Sequence, residues 1–140
     1  MKILLAVDGS KAAQAATKLA AQMAKALAAP PTLVLMHSDA PLMRRVAAEL
    51  GLDATRKYHE GNSNLALKPS RAVLKRAGVA FEEKTTVGDP AESITKAAKA
   101  GKFDLVIMGS HGRTALSSVL LGSVANKVLS QSTVPVLVVR

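Results

Sequence analysis

Short apolar runs alternate along the chain with longer stretches in which apolar residues recur every three or four positions. The run from Ile3 to Val7 is continuous rather than alternating, which is typical of a strand covered on both faces in a parallel sheet. Residues 79–87 are more polar, as an edge strand is, because they include three consecutive charged side chains. The pattern predicts five strands, over residues 3–7, 33–36, 79–87, 105–108 and 134–139.

Helical spacing fills the interval after the first strand. Ser10 is a suitable N-cap for a helix over residues 11–27. The apolar residues of this helix recur at spacings of three and four, which predicts one buried stripe. The stripe consists of Ala12, Ala16, Leu19, Met23 and Leu27.

The sequence pattern defines some of the remaining helices more clearly than others. Residues 41–76 predict a helix with Met43, Val46, Ala47 and Leu50 on its apolar face, then a polar break at 61–64 and a second helix interrupted near Pro69. Asp89, Pro90 and Glu92 form a strong helix start, with an acidic cap, a proline at the first helical position and a glutamate at the third. A last helix is expected to begin near Ser123 and to end near Gln131.

Alternating strands and helices predict the fold class. The expectation is an α/β protein with a parallel sheet, right-handed crossovers and helices on both faces. With 140 residues, of which 49% are apolar, the chain can form a sizeable core. We expect one domain over residues 1–140.

Composition narrows the choice of partners. The net charge of +9 favours an anionic ligand or surface. The absence of cysteine excludes disulfides and thiolate metal sites, and an aromatic content of 2% provides few rings for stacking on nucleic acid. The first apolar run is too short to span a bilayer. We therefore expect a cytoplasmic protein that does not bind membranes and does not recognise nucleic acid sequences.

Candidate chemistry lies at the carboxyl ends of the strands, where open α/β sheets bind ligands. The loop after the first strand lacks the fingerprints of dinucleotide-binding domains and of P-loop enzymes. Gly109 and Gly112 follow the fourth strand, and Gly122 and Ser123 come just before the last predicted helix. Glycine backbone and a helix N-terminus together favour anion binding.

The chain resembles the universal stress protein family in four separated blocks. These are ILLAVDGS at residues 3–10, DLVIMGSHGR at 104–113, LGSVA at 121–125 and PVLVVR at 135–140. The resemblance implies a Rossmann-like fold of the adenine nucleotide alpha hydrolase type, with an open five-stranded sheet of order 3-2-1-4-5. It also implies a homodimer in which the final strands, residues 134–139, pair. Such a dimer would cover an apolar edge that is otherwise exposed.

The resemblance further implies an ATP site, with Mg²⁺ or Mn²⁺ as a companion cation. By position, Asp8 would lie near the ribose and phosphates and is the candidate metal ligand, while Ala6 and Ser38 would meet the adenine through backbone atoms. The remaining implied residues form the phosphate loop: Gly109, Ser110, Gly112, Arg113, Gly122, Ser123 and Val124. Valine at Gly109 or Gly122 is expected to block the phosphates and leave the fold intact.

Other interpretations remain open at this level. Asp8 suits a loop hydrogen bond as well as a ligand contact. Ser110 and His111 suggest a hydrolase pair, but the strained Ser turn of such enzymes needs a glycine where Met108 stands, and adjacent side chains on extended backbone point apart. Zinc ligation by Asp8, His37 and His111 requires closer ligands than strand spacing allows.

The leading hypothesis is an ATP-binding regulatory module for stress responses, with an unidentified protein partner. Catalysis is not predicted beyond slow or partner-dependent ATP hydrolysis. The alternative is a dimer that binds no nucleotide and interacts through residues 41–76, which hold eight basic and three acidic residues. A solvated helical face explains those charges equally well.

Overall fold

The computed structural model describes residues 1–112 and 121–140. Five parallel strands form one sheet of order β3-β2-β1-β4-β5, which confirms the predicted fold. The strands are β1 (Lys2–Ala6), β2 (Thr32–Asp39), β3 (Glu82–Val87), β4 (Leu105–Gly109) and β5 (Val136–Val139). The helices are α1 (Lys11–Ala26), α2 (Arg44–Leu50), α3 (Leu52–Ala77), α4 (Pro90–Ala100) and α5 (Ser123–Gln131).

The sheet separates two apolar cores. Successive side chains of a strand point to opposite faces, so Ile3 and Leu5 of β1 pack towards α1 and α3, whereas Leu4 packs towards α4 and α5. All three are fully buried. The continuous apolar run in the sequence reflects this burial on both faces.

The buried face of α1 differs from the predicted stripe. Of the predicted residues only Ala16 is buried, while Leu27 follows the helix as its C-cap and is exposed. Small side chains instead let α1 lie close to the sheet and to α3, where Thr17 and Ser70 share a hydrogen bond of 2.8 Å. The buried residues are Ala13, Ala16, Thr17, Ala20, Ala21 and Ala24.

The predicted break at 61–64 and the predicted interruption near Pro69 are both wrong, because α3 runs uninterrupted from Leu52 to Ala77. One face of α3 is buried at helical spacing, and this packing outweighs the local polar signal. Pro69 removes the hydrogen bond to the carbonyl of Leu65. Leu65 is 67% exposed, so that carbonyl lies on the solvent side of the helix. The buried face consists of His59, Ser63, Ala66, Leu67, Ser70 and Leu74.

The predicted apolar face of α2 is also wrong. None of its residues is buried, and Met43, Leu50 and Leu52 at the α2–α3 junction are exposed. The helix packs mainly on α3 rather than on the sheet. Apolar spacing alone could not show that α2 packs on α3 without burying any of its own residues.

The two edge strands are shorter than predicted. β3 and β5 form the two edges of the sheet. A two-pronged ion pair ties β3 to α3, with Arg71 donating to the two carboxylate oxygens of Glu83 at 2.6 and 2.7 Å. Hydrogen bonding to Arg71 holds the pKa of Glu83 below its usual value.

The start of α4 is as predicted. Asp89 caps the helix by accepting the N–H of Glu92 at 3.0 Å.

Candidate functional site

A cavity of about 390 Å³ opens at the carboxyl edge of the sheet, a volume within the usual range for small-molecule sites. It lies where the strand order reverses, since the chain passes from β1 to β2 on one side and from β4 to β5 on the other. Open α/β sheets bind ligands at this point. Nine of the ten residues implied by the resemblance line it: Ala6, Asp8, Ser38, Gly109, Ser110, Gly112, Gly122, Ser123 and Val124. Arg113, the tenth, lies outside the described residues.

Hydrogen bonds fix the loop between β1 and α1. The carboxylate of Asp8 accepts the N–H of Ser10 through Oδ1 at 2.9 Å. Ser10 caps α1 by accepting the N–H of Ala13 at 3.1 Å and donates its hydroxyl to the carbonyl of His111 at 3.2 Å. Asp8 therefore makes the loop contact considered from the sequence and also lines the cavity.

The loop after β4 is held from both sides. Ser110 donates its N–H to the carbonyl of Val139 in β5 at 2.7 Å and accepts the N–H of Gly122 at 2.7 Å. Gly122 is the N-cap of α5, which has no acidic residue in its first turn and no side-chain cap among the described residues. The N-terminal N–H groups and the positive end of the α5 dipole meet the cavity at Ser123 and Val124.

The three glycines of this loop have different structural roles. A Cβ on Gly109 would lie 2.7 Å from backbone atoms of Ala12 and Ala13 in α1, so this glycine is required for packing. The expectation that valine there leaves the fold intact is wrong for that reason. Among the described atoms, a Cβ on Gly112 would meet Asp8 Oδ2 alone, at 3.2 Å, whereas one on Gly122 would lie 3.2 Å from the carbonyl oxygen of Ser110.

Two histidines line the cavity. His37 hydrogen-bonds through Nδ1 to the carbonyl of Val7 at 2.8 Å, and since a carbonyl only accepts, Nδ1 carries the proton. His111 Nδ1 lies 2.7 Å from the hydroxyl oxygen of Ser110. The expectation that these neighbouring side chains point apart is wrong, because the chain bends after β4 and is no longer extended. Ser110 is fully buried, which is unsuitable for a nucleophile.

A polar cluster beside β2 has no counterpart in the sequence analysis. Asp39 Oδ2 accepts hydrogen bonds from His59 Nδ1 at 2.6 Å and from Asn62 Nδ2 at 2.9 Å, both on α3. Burial alone would raise the pKa of Asp39, but these hydrogen bonds and the charges of His59 and His37 hold it below its usual value. The signal in the sequence is the spacing of three between His59 and Asn62, which the predicted break at 61–64 concealed.

The cavity thus has two walls of different construction. The glycine wall consists of Gly109 to Gly112 together with Gly122, and the β2 wall consists of His37, Ser38 and Asp39. Within the described parts of the chain, no three His, Asp or Glu side chains are grouped as metal ligands. Nor does any described helix have the length and apolar character to cross a membrane.

The comparisons with known proteins agree with this architecture. The family model described as the universal stress protein family matches residues 1–140. Universal stress protein MJ0531 of Methanocaldococcus jannaschii is 32% identical over 139 residues, which cover 99% of this chain and 81% of that protein.

Solved structures also match over nearly the whole length of this chain. That of MJ0577, from the same organism, has a TM-score of 0.80 at 30% identity and covers 99% of this chain and 94% of its own. A universal stress protein in complex with cAMP has a TM-score of 0.71 at 29% identity, with coverage of 100% and 97%.

Proposed function

Because the chain belongs to the universal stress protein family, we propose that its cavity binds ATP and that bound ATP sets the surface offered to a protein partner. The observation that carries this proposal is the N-terminus of α5, which has no side-chain cap among the described residues and lies beside Gly112. Gly112 has no side chain, and a Cβ there would lie 3.2 Å from Asp8 Oδ2. Backbone N–H groups and a helix dipole in this arrangement suit phosphate. The similar protein that was solved with cAMP supports a nucleotide as the ligand.

The two walls divide the nucleotide between them in this proposal. Phosphates lie against the glycine wall, Ser123 and Val124, while the base lies towards Ala6 and Ser38. Asp8 lies between these groups, near the ribose and the phosphates. The side chain of Ser38 hydrogen-bonds weakly to the carbonyl of Gly88, at 3.4 Å. Its backbone is therefore the part proposed to meet the adenine.

Mg²⁺ or Mn²⁺ is proposed to accompany the phosphates. Asp8 is the residue that would hold the cation, since one carboxylate oxygen is engaged with Ser10 and the other faces Gly112. Hard cations prefer such oxygen ligands, so the residues present fit the group. The cation would neutralise phosphate charge.

Regulation, rather than turnover, is the proposed outcome of binding. Ser110 is fully buried, and Asp8, with one oxygen engaged by Ser10, is proposed to hold the cation rather than to activate water. ATP hydrolysis, where it occurs, is expected to be slow or to depend on the partner.

The test compares two glycine variants after bound nucleotide has been removed and identified by mass. Gly112→Val places a branched side chain beside Asp8, and we expect affinity for ATP with magnesium to fall at least about a hundredfold, since buried phosphate contacts are charge-assisted. Gly61→Ala is the matched control, because a Cβ there meets nothing within 4 Å. Equal ATP affinity in Gly112→Val and wild type contradicts the proposal, as does a wild type that binds no nucleotide at millimolar ATP.

We further propose a homodimer through the open edge of β5. Carbonyls of Pro135 and Val139 bond to β4, so the N–H groups of Val136 and Val138 face the open edge, as alternate residues of a strand do. Val138→Pro removes one outward donor without removing a ladder bond to β4. Sedimentation should show monomers with an unchanged circular dichroism spectrum, and a persistent dimer contradicts pairing at this edge.

The second candidate is an interaction module built on α2 and α3. It is favoured by Leu52, which is 93% exposed at the junction of the two helices. Arg45 pairs with Glu49 and Arg56 pairs with Glu60, which leaves the excess of basic over acidic residues in this segment unchanged. This function becomes the leading one when the wild type binds no nucleotide.

A further inference from the structure

A buried polar atom at the glycine wall has no hydrogen-bond partner in the described part of the chain. His111 Nε2 makes no hydrogen bond to any described residue, although it is shielded from solvent. Most buried polar groups in folded proteins are hydrogen-bonded, and an unpaired one is destabilising. His111 also lines the cavity and is half-buried as a residue. A ligand bound in the cavity would complete its hydrogen bonding.

The neighbouring serine determines which ring nitrogen carries the proton. Ser110 is fully buried, and in the described part of the chain its hydroxyl has one hydrogen-bond partner, His111 Nδ1 at 2.7 Å. If Nδ1 were the donor, both the serine proton and the Nε2 lone pair would be unsatisfied. If serine is the donor, only one group is unsatisfied, an N–H at Nε2. The second arrangement leaves fewer buried groups unpaired and makes Nε2 a donor.

The backbone around the ring is fixed. The carbonyl of His111 accepts the hydroxyl of Ser10, and the carbonyl of Ser110 accepts the N–H of Gly122. The donor therefore belongs to the same wall as Gly112 and the N-terminus of α5, where the other groups also favour an anion.

We propose that His111 is a specificity-determining residue whose Nε2–H donates to a phosphate oxygen of the bound nucleotide, so that the site selects phosphorylated nucleotides over nucleosides. This inference rests on the proposed function of the cavity. A small turn of the ring accompanies ligand entry, because Nε2 is not open to solvent beforehand. Once formed, a charge-assisted hydrogen bond that is shielded from water is strong.

The experiment titrates ATP, AMP and adenosine into three proteins. His111→Asn keeps an amide near Nδ1 for Ser110 but loses the Nε2 donor, and we expect about a tenfold loss for ATP and AMP with adenosine changed less than about twofold. His111→Gln carries an amide that reaches the Nε2 position, and its affinities should stay within about threefold of wild type.

A spectroscopic readout separates this role from a structural one. The chain has three histidines, so nitrogen-15 spectra of the imidazoles can be assigned by single variants. We expect the Nε2–H tautomer of His111 without ligand and a shift of its Nε2 signal on addition of ATP.

The results divide cleanly between the two proposals. A wild type that binds no nucleotide defeats the function proposed for the cavity. When the wild type does bind ATP, two results would each contradict the role of His111 alone. One is that His111→Asn lowers the affinities for ATP and adenosine equally, or lowers neither. The other is that the ring of the unliganded protein carries its proton on Nδ1. Where adenosine binds too weakly to titrate, the tautomer and the ATP-induced shift decide.

Discussion

The two walls of the cavity solve the problem of forming a binding surface in different ways. The glycine wall is made of backbone groups that glycine leaves uncovered, and its hydrogen bonds connect it to α1, β5 and α5. The β2 wall depends on side chains for its support, because Asp39 within it is held by His59 and Asn62 of α3. The glycine wall is therefore damaged by adding atoms, whereas the support of the β2 wall is damaged by removing charge.

The largest expected effect comes from adding atoms where the glycine wall meets α1. Gly109→Val would drive a side chain into the backbone of α1, where even a Cβ would lie 2.7 Å from its neighbours. We expect a loss of about 3 kcal/mol in the free energy of unfolding, at the upper end of the usual cost of overpacking. Urea denaturation followed by circular dichroism measures it.

Gly61→Ala provides the control of opposite sign. This glycine lies within α3 and has open space at its Cβ, so alanine should stabilise the protein by about 0.5–1 kcal/mol. If Gly109→Val unfolds at the same urea concentration as wild type, the close packing of α1 on β4 is not what requires a glycine there.

The sequence was informative about the glycine wall for a physical reason. Its glycines, its following helix and the strand before it are contiguous in the chain, so local patterns and family resemblance identify them together. The exception is Gly109, whose packing role depends on Ala12 and Ala13, nearly a hundred positions away. Spacing along the chain contains no information about that contact.

The β2 wall was missed because its support is not local. Asp39 ends a strand, whereas His59 and Asn62 lie on α3, and the polar residues around Asn62 suggested a break rather than a buried helix face. Likewise, the pattern of α1 indicated a helix but not which face is buried, because alanines and Thr17, rather than the larger side chains, meet the sheet and α3. Element type follows from local pattern, while the choice of face depends on the partner element.

The smaller effect comes from removing charge from the β2 wall. Asp39→Asn keeps the shape of the side chain but weakens the acceptor for His59 and Asn62, and we expect a loss of about 1–2 kcal/mol in the free energy of unfolding at pH 5. Asp53→Asn is the surface control, because the side chain of Asp53 is 90% exposed and should contribute about 0.5 kcal/mol or less.

The dependence on pH tests the cause of that loss. The pKa of Asp39 in the folded protein lies below its usual value, so its stabilising contribution is complete above the unfolded pKa of about 3.9 and disappears as pH falls through the folded pKa. Urea unfolding between about pH 5 and pH 3 should therefore show wild type and Asp39→Asn converging in this window. A difference that stays constant to pH 3 means that the charge of Asp39 does not stabilise the β2 wall and that the amide disrupts its packing instead.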